Sequence, residues 1–225
     1  MSRKIGVIET VVWDFNGTLV DDLDLVVRTV NVQLEKRNLP ILTVDDYRRV
    51  FGFPVEDYYR RLGVTFENES MADLSTDFFA DYAPALRDCS LHEGVVDTLR
   101  TFAGRGVTQY VLSAMEQGML LEMMDHFEIR DYFEAVYGLA HQEGDSKIER
   151  GLRLMAEHRI GARTALLVGD TDHDAEVAEA LGTSVALVAA GHQSIDRLQT
   201  IGCPVYASLE QLASRFAEVS KTGSV

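Results

Sequence analysis

Residues 5–13, IGVIETVVW, form an almost unbroken apolar and β-branched run, which predicts a strand buried on both faces. From about Asp22 to Asp88 the pattern turns helical. In DLVVRTVNVQLEKR, Leu25, Thr29, Val32 and Lys36 fall at helical steps, with apolar neighbours filling one stripe. TVDDYRRVFGF opens on Thr43 as a cap, with acids in the first turn. PVEDYYRRLGV sets Pro54 near a helix start and Gly63 at a helix end. ESMADLSTDFFADYAPALRD continues the helical theme, and nothing in this block reads as a strong strand.

After His92 the pattern alternates. EGVVDTLRTFAGRG predicts a helix, VTQYVLS a strand, EQGMLLEMMDHF a helix and EAVYG a short strand. DSKIERGLRLMAEH predicts a helix with Ile148, Leu152 and Met155 on one side. RTALLVGD is a strand, HDAEVAEALG a helix closed by Gly182, SVALVAAG a strand, and CPVYASLEQLASRFAEV a last short strand and helix. Strands alternating with helices imply βαβ units and a mostly parallel sheet covered on both faces. The chain therefore reads as an α/β core, residues 1–20 and 89–225, interrupted after its first strand by a helical insert, residues 21–88. Leu19–Leu23 and Asp88–Glu93 are the expected hinges, and the tail SKTGSV is expected to fray.

Composition narrows the function. The 225 residues are 46% hydrophobic and 25% charged, an ordinary globular mixture. The net charge of -15, from 36 acids against 21 bases, offers no basic footprint, so nucleic acid is not an expected partner. An anionic substrate at an acidic site would need a bridging cation. Cys89 and Cys203 lack metal or redox spacing and read as reduced thiols, as in a cytoplasmic protein. No apolar run is long enough to span a membrane, so a membrane association is not expected either. Arg3 and Lys4 precede an apolar stretch broken by Glu9 and Asp14, which reads as a first strand and not a signal peptide.

Candidate chemistry lies after the predicted strands. The first delivers Asp14, VTQYVLS delivers Ser113, and RTALLVGD delivers Asp170, followed by Asp172 and Asp174. Ligands of open α/β sheets bind at that edge. Lys147 stands near the start of a helix between two of these strands. Clustered acids repel one another unless a cation neutralises them, and carboxylate oxygens suit Mg²⁺. Each residue also has a plainer reading. Asp14 alone is a turn former or cap, Ser113 a helix cap, Lys147 a solvated lysine, Asp172 a surface or capping acid, and His173 a positioned or exposed histidine.

Taken together, DFNGTLVDD, VLSA, Lys147 and VGDTDHDAEVAEALG resemble the four motifs of the haloacid dehalogenase superfamily, in order and at the right strand ends. Within it the chain is similar to the phosphoglycolate-phosphatase-like branch. The resemblance covers essentially the whole chain. It implies an α/β fold: a Rossmann-like doubly wound parallel sheet core with an inserted all-helical cap domain. It also implies a Mg²⁺-dependent phosphatase acting through an aspartyl-phosphate, with Asp14 as nucleophile. Ser113 and the backbone amide of Ala114 would hold the phosphoryl group, and Lys147 would neutralise charge there. Asp14, the backbone carbonyl of Asn16, Asp170 and Asp174 would form the metal site. Thr18 would fix the turn or the phosphate. The expected partner is a small phosphorylated metabolite, with the protein a monomer or homodimer.

Asn16 departs from the pattern, because most phosphatases of this superfamily carry an Asp there as acid and base. An amide cannot cycle a proton at neutral pH, and such help is typically worth about 100- to 10,000-fold in rate. Three outcomes follow: a slow or specialised phosphatase; a proton supplied by His141, His173 or Glu56; or a module that binds a phosphorylated ligand with little or no turnover. In the insert, FGFPVEDYYRR carries Gly52, a candidate substrate-facing turn, and Arg48, Arg49, Arg60 and Arg61 are candidates to meet an anionic substrate tail. The expected reading is plainer: Phe51, Phe53 and Tyr58 pack the insert, and the arginines pair with surface acids. Phosphoglycolate, a sugar phosphate and a nucleotide all fit as substrate.

Overall fold

A computed structural model describes residues 8–140 and 146–222 of the chain. Residues 5–7 of the expected first strand, Arg3, Lys4, His141 and the last three residues of the tail lie outside the described residues. In chain order the elements are β1 (Thr10–Trp13), β2 (Val20–Asp21), α1 (Leu23–Lys36), α2 (Val44–Val50), α3 (Val55–Arg61), α4 (Met71–Ala85), β3 (Ser90–Leu91) and α5 (Val95–Ala103). There follow β4 (Thr108–Glu116), α6 (Gln117–His126), β5 (Ala135–Leu139), α7 (Lys147–Glu157), β6 (Ala165–Gly169), α8 (Asp172–Leu181), β7 (Ser184–Val188), α9 (Ile195–Gln199), β8 (Val205–Tyr206) and α10 (Leu209–Thr222).

Six strands form one sheet in the order β5-β4-β1-β6-β7-β8, with every pairing parallel. β1 lies between β4 and β6, with Trp13 opposite Val111 on one side and Val168 on the other. The period of two explains the core. Val11, Trp13, Val111 and Val168 point to the face covered by Leu99 and Phe102 of α5 and Leu209 and Leu212 of α10. Val12, Tyr110, Leu112 and Leu167 point to the other, against Leu154 of α7 and Val177 and Leu181 of α8. Both faces are covered, which accounts for the unbroken apolar run of the first strand. The Rossmann-like parallel sheet expected from the sequence is present.

β2 and β3 pair antiparallel as a short ribbon, and α1–α4 lie between them in the chain. Local sequence chemistry accounts for these helices. Thr43 and Asp46 form a capping box on α2, as do Ser70 and Asp73 on α4. Gly63, at φ +103, follows α3 in a backbone conformation that glycine alone adopts freely.

Three details correct the sequence reading. Leu152 is half exposed, and the covered side of α7 is formed by Gly151 and Leu154 with Ile148 and Met155. Gly151 belongs there because a Cβ would meet Leu181 and Leu112 at 2.9 and 3.0 Å. α10 runs on to Thr222, through the first residues of the expected tail. β4 continues to Glu116, three residues past Ser113, because Glu116 still pairs with Leu139 of β5 across an irregularity in the register. Among the described residues no helix is long and apolar enough to cross a membrane.

Candidate active site

The carboxyl end of β1 is where the candidate residues converge. The Asp14 amide donates to the Val168 carbonyl at 2.8 Å, so the sheet pairing carries on through this residue and fixes its backbone. Asp14 and Lys147 are buried, and the Lys147 Nζ donates to Asp14 Oδ1 at 2.5 Å and to Asp174 Oδ1 at 2.6 Å. The other Asp174 oxygen accepts from the Asp170 amide at 3.2 Å, the Thr171 amide at 3.0 Å and the Thr171 hydroxyl at 2.7 Å. Thr18 donates its hydroxyl to Asp170 Oδ1 at 3.0 Å, and the His192 amide donates to Asp170 Oδ2 at 2.6 Å.

Carboxylate oxygens of Asp14, Asp170 and Asp174 lie within 4.8 Å of one another. Burial pushes the Asp14 carboxyl up to about 6, against the pull of Lys147. Burial likewise pushes Asp170 up to about 7, with the neighbouring acids adding to the shift and His192 opposing it. Burial also acts on Asp174, but Lys147 outweighs it and holds that carboxyl below its ordinary value. Three acids around one lysine thus leave negative charge uncompensated, in a set of hard oxygen donors. That donor set fits a small divalent cation such as Mg²⁺.

Asn16 is not idle. Its amide Nδ2 donates to Asp22 Oδ2 at 3.0 Å and to the Tyr82 hydroxyl at 2.7 Å. Asp22, buried to 1% exposure, also accepts from Tyr82 at 2.6 Å, from the Gly17 amide at 3.0 Å and from His192 Nε2 at 3.1 Å. Burial alone would raise the Asp22 carboxyl, but His192, Tyr82 and Asn16 together hold it below its ordinary value. Burial works against the His192 imidazolium, yet the Asp22, Asp170 and Asp14 carboxylates carry it up to about 9. Its Nδ1 lies 3.2 Å from the Tyr47 hydroxyl. Gly17 sits at φ +72, and a Cβ there would lie 2.4 Å from Asp170 Oδ2 and 2.5 Å from the His192 ring.

These groups floor a cavity of about 290 Å³, lined also by Ser113, Ala114, Thr171, His173 and residues of α1, α3 and α4. Asp14, Asn16, Ser113, Ala114, Lys147, Asp170 and Asp174 all line it. Thr18 stands behind them, fully buried.

Ser113 is not a helix cap. It sits within β4 and accepts from the Met115 amide at 3.1 Å, whereas Glu116 caps α6 by accepting from the Gly118 and Met119 amides. Lys147 is not solvated. Glu56 pairs with Arg60 at 2.5 Å and does not line the cavity, which removes it as a proton source. Arg49 pairs with Asp46, Arg61 reaches the Val50 carbonyl, and Arg48 donates to the Ala189 and Gln193 carbonyls, so none of these arginines lines the cavity. Gly52 faces Arg197, not the cavity: a Cβ there would meet its guanidinium at 2.7 Å. Asp172 accepts from Gln193 at 2.7 Å and Arg197 at 2.6 Å, a contact between α8 and the segment after β7.

The residues that sequence reasoning missed are Asp22, Tyr47, Tyr82 and His192. One signal was present: HQS directly follows the predicted strand SVALVAAG, at the ligand-binding edge of the sheet.

The model of the haloacid dehalogenase-like hydrolases matches residues 11–188, from β1 through β7. The chain belongs to this family. Among its relatives is the tyrosine-protein kinase PtkA of Mycobacterium tuberculosis, 26% identical over 210 residues, covering 91% of this chain and 71% of that protein. Phosphoglycolate phosphatase 1 of Pseudomonas aeruginosa is 26% identical over 191 residues, covering 81% and 70% respectively. A haloacid dehalogenase-like hydrolase from Streptococcus pneumoniae superposes with a TM-score of 0.80 over 93% of this chain and 98% of that one. At 17% identity that last likeness is one of fold alone.

Proposed function

We propose that this haloacid dehalogenase-like hydrolase is a phosphatase that cleaves a small phosphate monoester through an aspartyl-phosphate on Asp14. The observation that carries the reading is the placement of Asp14 at the end of β1, bonded to Lys147, beside two further acids and on the floor of a cavity. In the first step an Asp14 carboxylate oxygen attacks phosphorus, the bond to the leaving oxygen breaks, and that oxygen leaves with the bonding electron pair. The Ser113 hydroxyl and the Ala114 amide hold the phosphoryl oxygens, and Lys147 offsets the charge that gathers between nucleophile and phosphoryl group. In the second step water adds to the phosphorus, the P–O bond to Asp14 breaks, and phosphate departs.

Asp14, Asp170 and the backbone carbonyl of Asn16 would hold Mg²⁺, with Asp174 in support. Bound there, the ion neutralises the acids and polarises the phosphoryl oxygens. Thr18 orients Asp170 through its hydroxyl. Residues 21–88 form a cap over the site that excludes water, hinged at Leu19–Leu23 and Asp88–Glu93, where the β2–β3 ribbon ties the two crossings together.

The relatives named for phosphoglycolate phosphatase activity support hydrolysis, and the PtkA relatives agree with phosphoryl chemistry on this scaffold. A second reading, a phosphate-ligand binding module with negligible turnover, is favoured by Asn16 alone, because residue 16 carries no transferable proton. The deciding experiment is phosphate release from p-nitrophenyl phosphate with Mg²⁺ and with chelator, in the parent and in Asp14→Asn. Metal-dependent release that disappears in Asp14→Asn supports the hydrolase. Tight phosphate binding with no release by the parent supports the module.

A further inference from the structure

The wall that faces the phosphate floor is aromatic and aliphatic. Phe51, Phe53, Val55, Leu74, Phe78 and Phe79 line it. The arginines of this segment are turned elsewhere, Arg37 to Glu69, Arg60 to Glu56, and Arg48 to backbone carbonyls. Among the described lining residues the basic side chains are Lys147, His192 and His173. Lys147 is bound by Asp14 and Asp174, and His192 by Asp22. His173 bonds Glu176 at 3.0 Å and lays its ring against Phe53, with centroids 4.5 Å apart. A second anionic group on the substrate, a carboxylate or another phosphate, would find no free cation among the described residues here, only the unbonded Tyr58 hydroxyl, and burying a charge without a counter-charge is costly.

Asn16 supplies an independent constraint. Its Nδ2 has two hydrogens, and Asp22 and Tyr82 take both. Residue 16 therefore neither protonates the leaving oxygen nor donates a hydrogen bond to it through that nitrogen. Without an acid at residue 16, an alkyl ester expels an alkoxide, a far stronger base than a phenolate, unless His173 or His192 on the cavity wall protonates it. A phenol ionises near 10, like tyrosine, and its ester needs much less help to depart. The cavity of about 290 Å³ is at the lower end of small-molecule sites, a size for one ring and not a folded protein segment.

We propose that the substrate is a phosphate monoester of a phenol, with its single aromatic ring held by the Phe51, Phe53, Phe78 and Phe79 wall and with no second charged group. This rests on the hydrolase reading above. The first step is the same attack by Asp14; the aryl oxygen leaves as phenolate and takes its proton from solvent.

The test compares phenyl phosphate, benzyl phosphate and 2-phosphoglycolate on the full chain with Mg²⁺, read as kcat/KM. That ratio ends at the first irreversible step, so slow hydrolysis of the aspartyl-phosphate does not hide it. Benzyl phosphate keeps the ring but has an alkyl leaving oxygen. Phenyl phosphate is expected to exceed 2-phosphoglycolate by at least about 100-fold, the low end of what general acid help supplies, and to exceed benzyl phosphate as well. Phe53→Ala and Phe79→Ala, both at partly exposed positions, are expected to lower the phenyl-over-phosphoglycolate ratio about 2- to 10-fold, the scale of one aromatic contact. Equal or better cleavage of 2-phosphoglycolate overturns the substrate class and leaves the hydrolase standing. Benzyl phosphate cleaved as fast as phenyl phosphate overturns the leaving-group argument. No release from any of the three esters overturns the hydrolase reading and the substrate class with it.

Discussion

The Asn16 amide nitrogen donates to Asp22 Oδ2 at 3.0 Å, and Asp22 is buried. The amide stands at the position where the sequence resemblance leads one to expect an acid, and it stands against a carboxylate that needs donors. Asn16→Asp would bring two carboxylates within bonding distance, where like charges oppose joint ionisation. It also removes one of the four donors that satisfy Asp22. The variant is expected to lose about 1–3 kcal/mol, the scale of a buried polar group left unsatisfied, and to gain no turnover on alkyl phosphates. Asn16→Asp combined with Asp22→Asn exchanges the two partners and is expected to recover most of that loss. Urea unfolding of the four proteins in the cycle measures the coupling. A single variant as stable as the parent would show that the pair contributes nothing.

Metal affinity can be read without turnover. Asp14 and Asp170 both carry raised carboxyl values because burial and neighbouring acids leave their charge uncompensated. Mg²⁺ at about 100 times its dissociation constant stabilises the native state by about 2.7 kcal/mol. For a chain of this size that is a rise in Tm of roughly 5–11 °C. Asp170→Asn is expected to lose most of the rise, since an amide is a weaker ligand for a hard cation than a carboxylate. The comparison is a pair of melts, with Mg²⁺ and with chelator, for each protein. An equal rise in both would remove Asp170 from the metal site.

What could be read from the sequence follows from how local each cause is. The parallel sheet was legible because a strand buried on both faces writes a continuous apolar run, as Val11, Val12 and Trp13 do. That Asp14, Ser113 and Asp170 meet at one cavity was legible because they lie at predicted strand ends, whereas Lys147, near a helix start, was singled out only by the resemblance. The Asp22 network was not, since His192 reaches it from 170 positions away and Tyr82 from 60. The end of β4 was not legible either: pairing with β5 sets it, and Glu116 caps α6 three residues beyond Ser113. Arg49 and Arg60 pair with nearby acids of the insert, as expected, whereas the Ala189 carbonyl that Arg48 meets is 141 positions away and leaves no local signal.

Gly17 is constrained twice over. A left-handed backbone costs a non-glycine residue roughly 1–2 kcal/mol, and a Cβ here would also lie 2.4 Å from Asp170 Oδ2. Gly17→Ala must therefore displace Asp170, His192 or the turn itself. The expected result is a lower Tm together with loss of the Mg²⁺-dependent rise, because the displaced group is a proposed ligand or its neighbour. Gly106→Ala is the control: it has similar φ, +73, with nothing within 4 Å of the added Cβ. It should lower Tm through backbone strain alone and keep the Mg²⁺ response. Matching metal responses in the two variants would show that the crowding at Gly17 does not reach the site.

Lys147 tests the charge balance of the site. It is buried, 6% exposed, and its ammonium bonds two acids, Asp14 and Asp174. Those acids and burial act on the lysine in opposite directions, and the acids prevail, so it stays protonated well above neutral pH. Lys147→Met keeps much of the side-chain volume and leaves both carboxylates without their cation. Removing one partner of a buried ion pair costs about 3–5 kcal/mol, and unfolding in chelator should show a loss of that order. Mg²⁺ is expected to restore part of the stability, because a divalent ion neutralises the same acids. Phosphatase activity should stay absent, since the ion does not replace the ammonium beside the nucleophile. If Lys147→Met is as stable as the parent in chelator, the triad of Lys147, Asp14 and Asp174 carries no weight in the fold. If it retains phosphatase activity, Lys147 has no part in the transfer.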